Sequence, residues 1–331
     1  MNKQGPILGT TLYSFTNEWK MRLYSLEQVI AKVAELELGP AVEVVGFQSF
    51  REYPDISDEF AENFRASLEQ HALIPSCLGG NIDVGRHPER SMTEEETIAY
   101  IERQIMSAKK LGFPVLRVQA FVGPKIFERI APIAERAGVH VACELHSPLT
   151  ADHPEVVGLR ECYDRLGTPF LGFVPDFSSV MTSPPEIHWA NLRSLGASEA
   201  LIETVKEIWE SDRTSSEKFS ALAEAEASFG VDKQLTGQLR RTITMFGNMP
   251  VDGLRELIPY TRHIHGKFYH VTPEGNEPSI PYPDLMNLLK EEGYAGTISA
   301  EWEGHAFTEE MIGFQEVQAW QSMCRRLFSD E

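Results

Sequence analysis

The chain has 331 residues, 42% hydrophobic and 24% charged, proportions that exclude a fibrous or globally disordered protein. Its net charge of −19 repels phosphate backbones and anionic lipid, which argues against nucleic-acid and membrane partners. No run of 18 apolar residues occurs, the opening Met1-Asn2-Lys3-Gln4-Gly5-Pro6 lacks an apolar signal core, and cysteines 77, 143, 162 and 324 form no CxxC pair. A reduced, cytoplasmic protein is therefore expected, without membrane span, disulfide frame or zinc clip.

A first strand is predicted over about 7–13, followed by a helix from Ser25. That helix carries Leu26, Val29, Ile30 and Val33 on one face, and Ser25 and Gln28 have capping-box spacing. Leu38-Gly39-Pro40 leads into a second strand (42–46), and a third covers 74–79. Thr93 and Glu96 open the next helix as a second capping box. Leu111-Gly112 precedes strand four (115–120) and Ala137-Gly138 precedes strand five (139–145). A helix bearing Val156, Leu159, Tyr163 and Leu166 ends at Gly167 before strand six (171–176). Strand seven covers 263–269, and Glu292-Gly293 precedes strand eight (297–302). The glycine at each of these junctions is predicted to end its helix in the left-handed conformation.

Eight strands alternating with helices predict an α/β fold, a (β/α)8 TIM barrel in a single domain over 1–331, in preference to an open sheet. No GxGxxG or GxxxxGK(S/T) follows a strand, so dinucleotide and P-loop chemistry lose support. One connection is too long for a single helix. Residues 178–262, between strands six and seven, read as a helical insertion with helices near Ala197–Glu210, Ser216–Phe229 and Asp232–Phe246. It leaves a strand end and so rises from the face where barrel active sites form. Helices this apolar need cover, from the barrel flank or from a partner.

Four successive strands end in acids or histidines: Glu144-Leu145-His146, Asp176, His263-Ile264-His265-Gly266-Lys267, and Glu301-Trp302-Glu303. Residues two apart share a strand face, so Glu144 sits with His146, His265 with His263 and Lys267, and Glu301 with Glu303. Three carboxylates in one barrel mouth repel one another unless a cation joins them. Glu144, Asp176, His265 and Glu301 offer three oxygens and one nitrogen, a set suited to Mn²⁺ and compatible with Mg²⁺, Co²⁺ or Zn²⁺. His146 is either a polar lining residue or a general base beside the metal. Lys267 balances the charge of Glu301 and Glu303 or binds a developing oxyanion. Arg117 and Gln119, ending strand four, line a sugar pocket or belong to the polar barrel layer. Trp302 and Phe121 offer stacking surfaces for a sugar or simply pack, and His263 and Glu303 complete the candidate substrate-binding set.

The ligand set on strands five to eight resembles that of the xylose-isomerase-like barrels, which include sugar isomerases, sugar epimerases and endonuclease-IV-type enzymes. Within them, three stretches are most similar to the α subunit of C-glycoside deglycosidases: Pro259-Tyr260-Thr261-Arg262-His263-Ile264-His265-Gly266-Lys267-Phe268-Tyr269, Gly275-Asn276-Glu277-Pro278-Ser279-Ile280-Pro281-Tyr282 and Ala300-Glu301-Trp302-Glu303-Gly304. Two features depart from the keto-sugar epimerases. No histidine stands three residues after Asp176, and no arginine occurs over 266–275.

The resemblance implies a 3-oxo sugar joined through carbon to an aromatic aglycone. A metal would polarise the C3 carbonyl, His146 would remove the C2 proton, and the aglycone would leave from C1. A sugar isomerase or epimerase shares the first half of this chemistry and is the alternative. The resemblance also implies a small β subunit and a higher oligomer, with the insertion forming the active-site rim or the subunit contact.

Overall fold

The computed structural model describes residues 5–82, 89–119 and 122–329. Eight strands, β1 (Ile7–Thr11), β2 (Ala41–Val45), β3 (Ile74–Gly79), β4 (Val115–Val118), β5 (His140–Leu145), β6 (Leu171–Pro175), β7 (Ile264–Phe268) and β8 (Thr297–Trp302), pair in parallel in the order β6-β5-β4-β3-β2-β1-β8-β7. Isolated parallel bridges from Phe173 to Thr261 and from Asp176 to His265 join β6 to β7 and all but close the barrel. Both faces of most strands are buried, because helices cover the outside and side chains fill the inside. On the inside, Cys77, Val115, Ala142 and Val174 form an apolar layer. The next inward-facing residues along β4, β5 and β6 are Arg117, Glu144 and Asp176, which begin a polar layer toward the strand ends.

The expected junctions form for local reasons. The helices Leu26–Glu35 and Glu94–Leu111 both open with complete capping boxes, at Ser25/Gln28 and Thr93/Glu96. Gly112, Gly138, Gly167 and Gly293 take positive φ values between 63° and 86°. Gly39 does not. There the left-handed residue is Glu37, at φ 55°. What Gly39 supplies is space, since a Cβ on it would stand 2.6 Å from the Leu73 side chain.

Between β6 and β7 run helices Glu186–Ser194, Glu199–Glu210, Ser215–Phe229 and Lys233–Thr244, then a 3₁₀ segment, Val251–Tyr260. These helices bury their apolar faces on one another, in a cluster that includes Trp189, Leu192, Ile202, Val205, Leu222 and Leu239. Trp209 and Phe246 belong instead to the main core and tie the segment to the barrel, with the Trp209 indole N–H donating to the Phe246 carbonyl at 2.8 Å.

Candidate metal centre and active site

One ligand atom each from Glu144, late in β5, Asp176, just past β6, His265, the second residue of β7, and Glu301, late in β8, falls within a 4.8 Å cluster. His265 stands at its centre. Its Nδ1 lies 2.8 Å from Glu144 Oε1, 3.3 Å from Glu301 Oε2 and 4.0 Å from Asp176 Oδ2. Its Nε2 lies 2.9 Å from Glu43 Oε1. An Nε2–H donated to Glu43 leaves the Nδ1 lone pair facing the carboxylates, the arrangement of a metal-binding histidine oriented by an outer carboxylate. His265 Nδ1, Asp176 Oδ2 and Glu301 Oε2 are buried and make no well-formed hydrogen bond; their near neighbours are one another, Glu144 and the Lys267 ammonium. Unsatisfied buried lone pairs are costly, and three that converge on one point suit a divalent cation. The cluster is thus able to hold a metal, as the donor set requires.

Lys267 adds a fixed positive charge. Its ammonium lies 2.7 Å from Glu303, 3.1 Å from Glu301 and 3.3 Å from Asp176. Burial opposes that charge, but Asp176, Glu301 and Glu303 hold its pKa well above the usual range. Burial pushes the Glu301 carboxyl up to about 7, against the pull of His265 and Lys267, with Asp176 and Glu144 adding to the rise. Glu144 is held well below the usual carboxylate range. Its burial is outweighed by Arg117, 3.5 Å away, and by His265.

His146 lies just past β5 and is half-buried. Its Nδ1 is 2.9 Å from the Ser147 carbonyl, so Nδ1–H donates there and Nε2 is the basic nitrogen. It is close enough to Glu144 and Glu303 to favour ionisation of both. Tyr13, one turn past β1, donates its hydroxyl to Glu303 Oε1 at 3.1 Å and packs edge-on against His305. A cavity of about 590 Å³ opens between the loop after β5 and the helical segment, with none of Glu144, His146, Asp176, His265 or Glu301 in its walls. Ser147, Ser179, Trp209, Lys218 and Phe246 are among its walls.

The remaining sequence candidates fall in different places. Arg117 reaches Glu144 and donates to the Gly80 carbonyl at 3.2 Å, and Gln119 is exposed beyond β4. Phe121 lies outside the described residues. Trp302 corrects the stacking expectation. Between Glu301 and Glu303 it points out of the barrel, 1% exposed, with its indole N–H donating to the Tyr269 carbonyl. His263 is 1% exposed and bonds Glu43 Oε2 and Ser299 Oγ, both at 3.0 Å.

Glu43 and Tyr13 were missed by sequence reasoning. For Glu43 the available signal was a lone acid in Ala41-Val42-Glu43-Val44-Val45; for Tyr13 there was none.

No family model matches the chain. Among curated proteins, it is 38% identical over 313 residues to the C-glycoside deglycosidase alpha subunit of Microbacterium trichothecenolyticum, covering 90% of this chain and 84% of that one. It is 34% identical over 335 residues to the 3'-dehydrocarminate deglycosidase alpha subunit of a Microbacterium species, covering 98% and 96%. Among solved structures, the D-psicose 3-epimerase of Clostridium cellulolyticum H10 aligns with a TM-score of 0.60 at 12% identity, over 97% of this chain and 99% of that one. The zinc-bearing IolI protein aligns at 0.56 and 14% identity, over 98% of each. These alignments show the fold, a (β/α)8 TIM barrel of the kind found in sugar epimerases. Within that class, sequence identity settles the membership: the chain belongs to the C-glycoside deglycosidase α-subunit family.

Proposed function

We propose that the chain is the α subunit of a metal-dependent enzyme that cleaves the C–C bond between a 3-oxo sugar and its aglycone. One observation carries the reading: ligand atoms of Glu144, Asp176, His265 and Glu301 lie within 4.8 Å of one another, and His146 follows Glu144 by two residues at the end of β5. Glu144, Asp176, His265 and Glu301 hold the metal, with Mn²⁺ the best match to three oxygens and one nitrogen. When bound, the ion supplies Lewis acidity toward the sugar carbonyl and neighbouring hydroxyl.

His146 Nε2 takes the C2 proton. The C1–aglycone bond then breaks with its electron pair going to the aglycone carbon, and a C1=C2 double bond forms beside the C3 carbonyl. The proton held by His146 passes to the aglycone carbon, which balances the reaction. Lys267, pinned by Asp176, Glu301 and Glu303, presents a fixed positive charge to the oxygen that gains negative charge. The cavity between the loop after β5 and the helical segment has room for the aglycone.

A small β subunit and a higher oligomer belong to the same reading, supported by the names of the relatives. A cytoplasmic location is supported by four buried, unpaired cysteines. No described helix is long and apolar enough to cross a membrane.

The test is incubation of the chain with its β subunit and a 3-oxo-C-glucoside, after chelation and then with Mn²⁺ restored. Free aglycone appearing only with metal is the expected result. Interconversion of free ketoses without aglycone release would instead establish an isomerase or epimerase.

A further inference from the structure

The cavity of about 590 Å³ between the loop after β5 and the helical segment has the size of a small-molecule pocket. Two of its wall residues follow the candidate site directly along the chain. Ser147 comes next after His146. Ser179 comes three residues after Asp176 and donates its hydroxyl to the Asp176 carbonyl at 2.7 Å. Hydrogen bonds tie the opposite wall to these points. Ser147 Oγ donates to the Ile243 carbonyl at 3.3 Å, the Gly247 N–H to the Ser178 carbonyl at 2.7 Å and the Met249 N–H to the Ser179 carbonyl at 3.0 Å. The cavity therefore opens off the ends of β5 and β6. Pro148, Leu149, Met249 and Pro250 give it accessible apolar surface.

One wall residue is out of keeping with that surface. Lys218, on the helix Ser215–Phe229, is 7% exposed. Among the described residues, Arg117, Lys218 and Lys267 are the buried basic side chains. Arg117 lies 3.5 Å from Glu144, and Lys267 lies within 3.3 Å of three acids. No acid among the described residues forms a salt bridge with Lys218. Its ammonium donates instead to a neutral acceptor, the Trp209 carbonyl, at 2.6 Å. Burial lowers its pKa, opposed by Asp212, which is exposed. The other charged residues of the walls, Asp152 and Arg213, are exposed as well.

Helix capping does not account for the charge. The Trp209 carbonyl lies in the last turn of the helix Glu199–Glu210, and the neutral amide of Asn248 already reaches it at 3.3 Å. An ammonium has three N–H donors, of which that carbonyl takes one. Burying a positive charge without a counterion is costly. An anionic oxygen inside the cavity would remove the cost and gain a charge-assisted hydrogen bond.

We propose that this cavity seats the aglycone, and that Lys218 makes it selective for an aglycone bearing an ionised oxygen, carboxylate or phenolate. The proposal rests on the C–C cleavage reading above and deepens it. The aglycone leaves from C1, next to the carbon that His146 deprotonates, so it lies on the His146 side of the sugar, where the walls of the cavity begin.

The test uses the assembled enzyme, the α chain with its β subunit and Mn²⁺, and two pairs of 3-oxo-C-glucosides. In one pair the aglycone carries a carboxylate or the matching carboxamide. In the other it carries an acidic phenol or the matching methyl ether. The parent is expected to favour the ionised member of a pair by about 10–100-fold in kcat/KM, mainly through KM, as a hydrogen bond to a charged group implies. The pair that shows the preference names the source of the anion. Lys218→Gln can still donate to the Trp209 carbonyl. It is expected to abolish the preference with metal content and thermal unfolding unchanged, and Lys218→Arg to restore most of it. No preference in either pair, a preference that survives Lys218→Gln, or an equal loss for both members of each pair overturns the proposal. So does release of the β subunit by Lys218→Gln, which would give the cavity to an acidic side chain of the partner. Cleavage of all four substrates alike leaves the cleavage reading standing and removes the proposal alone. If none is cleaved, the cleavage reading fails, and calorimetry with free benzoate and benzamide decides the rest. Tighter benzoate binding that is lost in Lys218→Gln keeps the anion site, and equal binding removes it too.

Discussion

His265 Nε2 lies 2.9 Å from Glu43 Oε1, and through this contact a carboxylate on β2 orients an imidazole on β7. The other oxygen of Glu43 holds His263 at 3.0 Å, so one buried acid, 1% exposed, sets two ring orientations. Glu43 touches no substrate in the proposed reaction. It acts by aiming Nδ1 of His265 at Glu144, Asp176 and Glu301.

Glu43→Gln keeps the volume and removes the charge. Metal affinity is expected to fall about 10–100-fold, the usual effect of losing an outer carboxylate. Titration of the metal-free chain with Mn²⁺ measures it. Unchanged affinity would show that Glu43 is not what orients His265.

His146→Ala leaves the four proposed ligands in place. It is expected to retain metal while turnover falls ~10²–10⁴-fold. Exchange of the substrate C2 proton with D₂O, followed by NMR, should fall with it. Exchange at the parent rate would remove His146 from the role of base.

Gly266 sits between His265 and Lys267 and faces the opposite way. A Cβ there would stand 2.5 Å from Trp320 and 3.0 Å from Ile298. Trp320 cannot easily yield, because its indole N–H donates to the Tyr282 hydroxyl at 2.6 Å, and that hydroxyl donates to the Lys267 carbonyl at 2.8 Å. Gly266→Ala is therefore expected to cost about 1–3 kcal/mol of stability and to lower kcat by displacing β7. Thermal unfolding and steady-state kinetics read the two effects separately.

Glu277 is buried, and burial, with Glu316 adding to it, pushes its carboxyl up to about 8 against the pull of backbone N–H groups. Between its unfolded value of about 4.5 and that folded value, the folded chain binds more protons than the unfolded one. Its contribution is fully present below about pH 4.5 and is lost as pH rises toward 8. Glu277→Gln cannot ionise. At pH 8.5 it should be more stable than the parent by on the order of 2–4 kcal/mol, with the gap closing by pH 5. Denaturant unfolding at the two pH values checks this, and a gap independent of pH would contradict it.

Much of the barrel was legible because its signals are local. Glycines at five helix-to-strand junctions, short apolar strands, and an acid or histidine at the end of four of them are each encoded within a few residues, and eight strands alternating with helices specify the nearly closed sheet. The four clustered residues could be chosen from sequence because period-two alternation and a shared strand end suffice to place Glu144, Asp176, His265 and Glu301 together. The same alternation, read strictly, turns Trp302 outward.

What only the tertiary structure decided depends on partners far apart in the chain. Glu43 and His265 are separated by 222 positions, and an acid in an apolar strand shows its role only when the barrel brings β2 opposite β7. Tyr13 and Glu303 meet across 290 positions. Apolar content alone left open the barrel flank or a partner as cover for the helices after β6, and mutual burial was not among the readings. In the structure much of their apolar surface is buried on one another, with Trp209 and Phe246 in the main core; a hydrophobic face specifies that it must be covered and not by what.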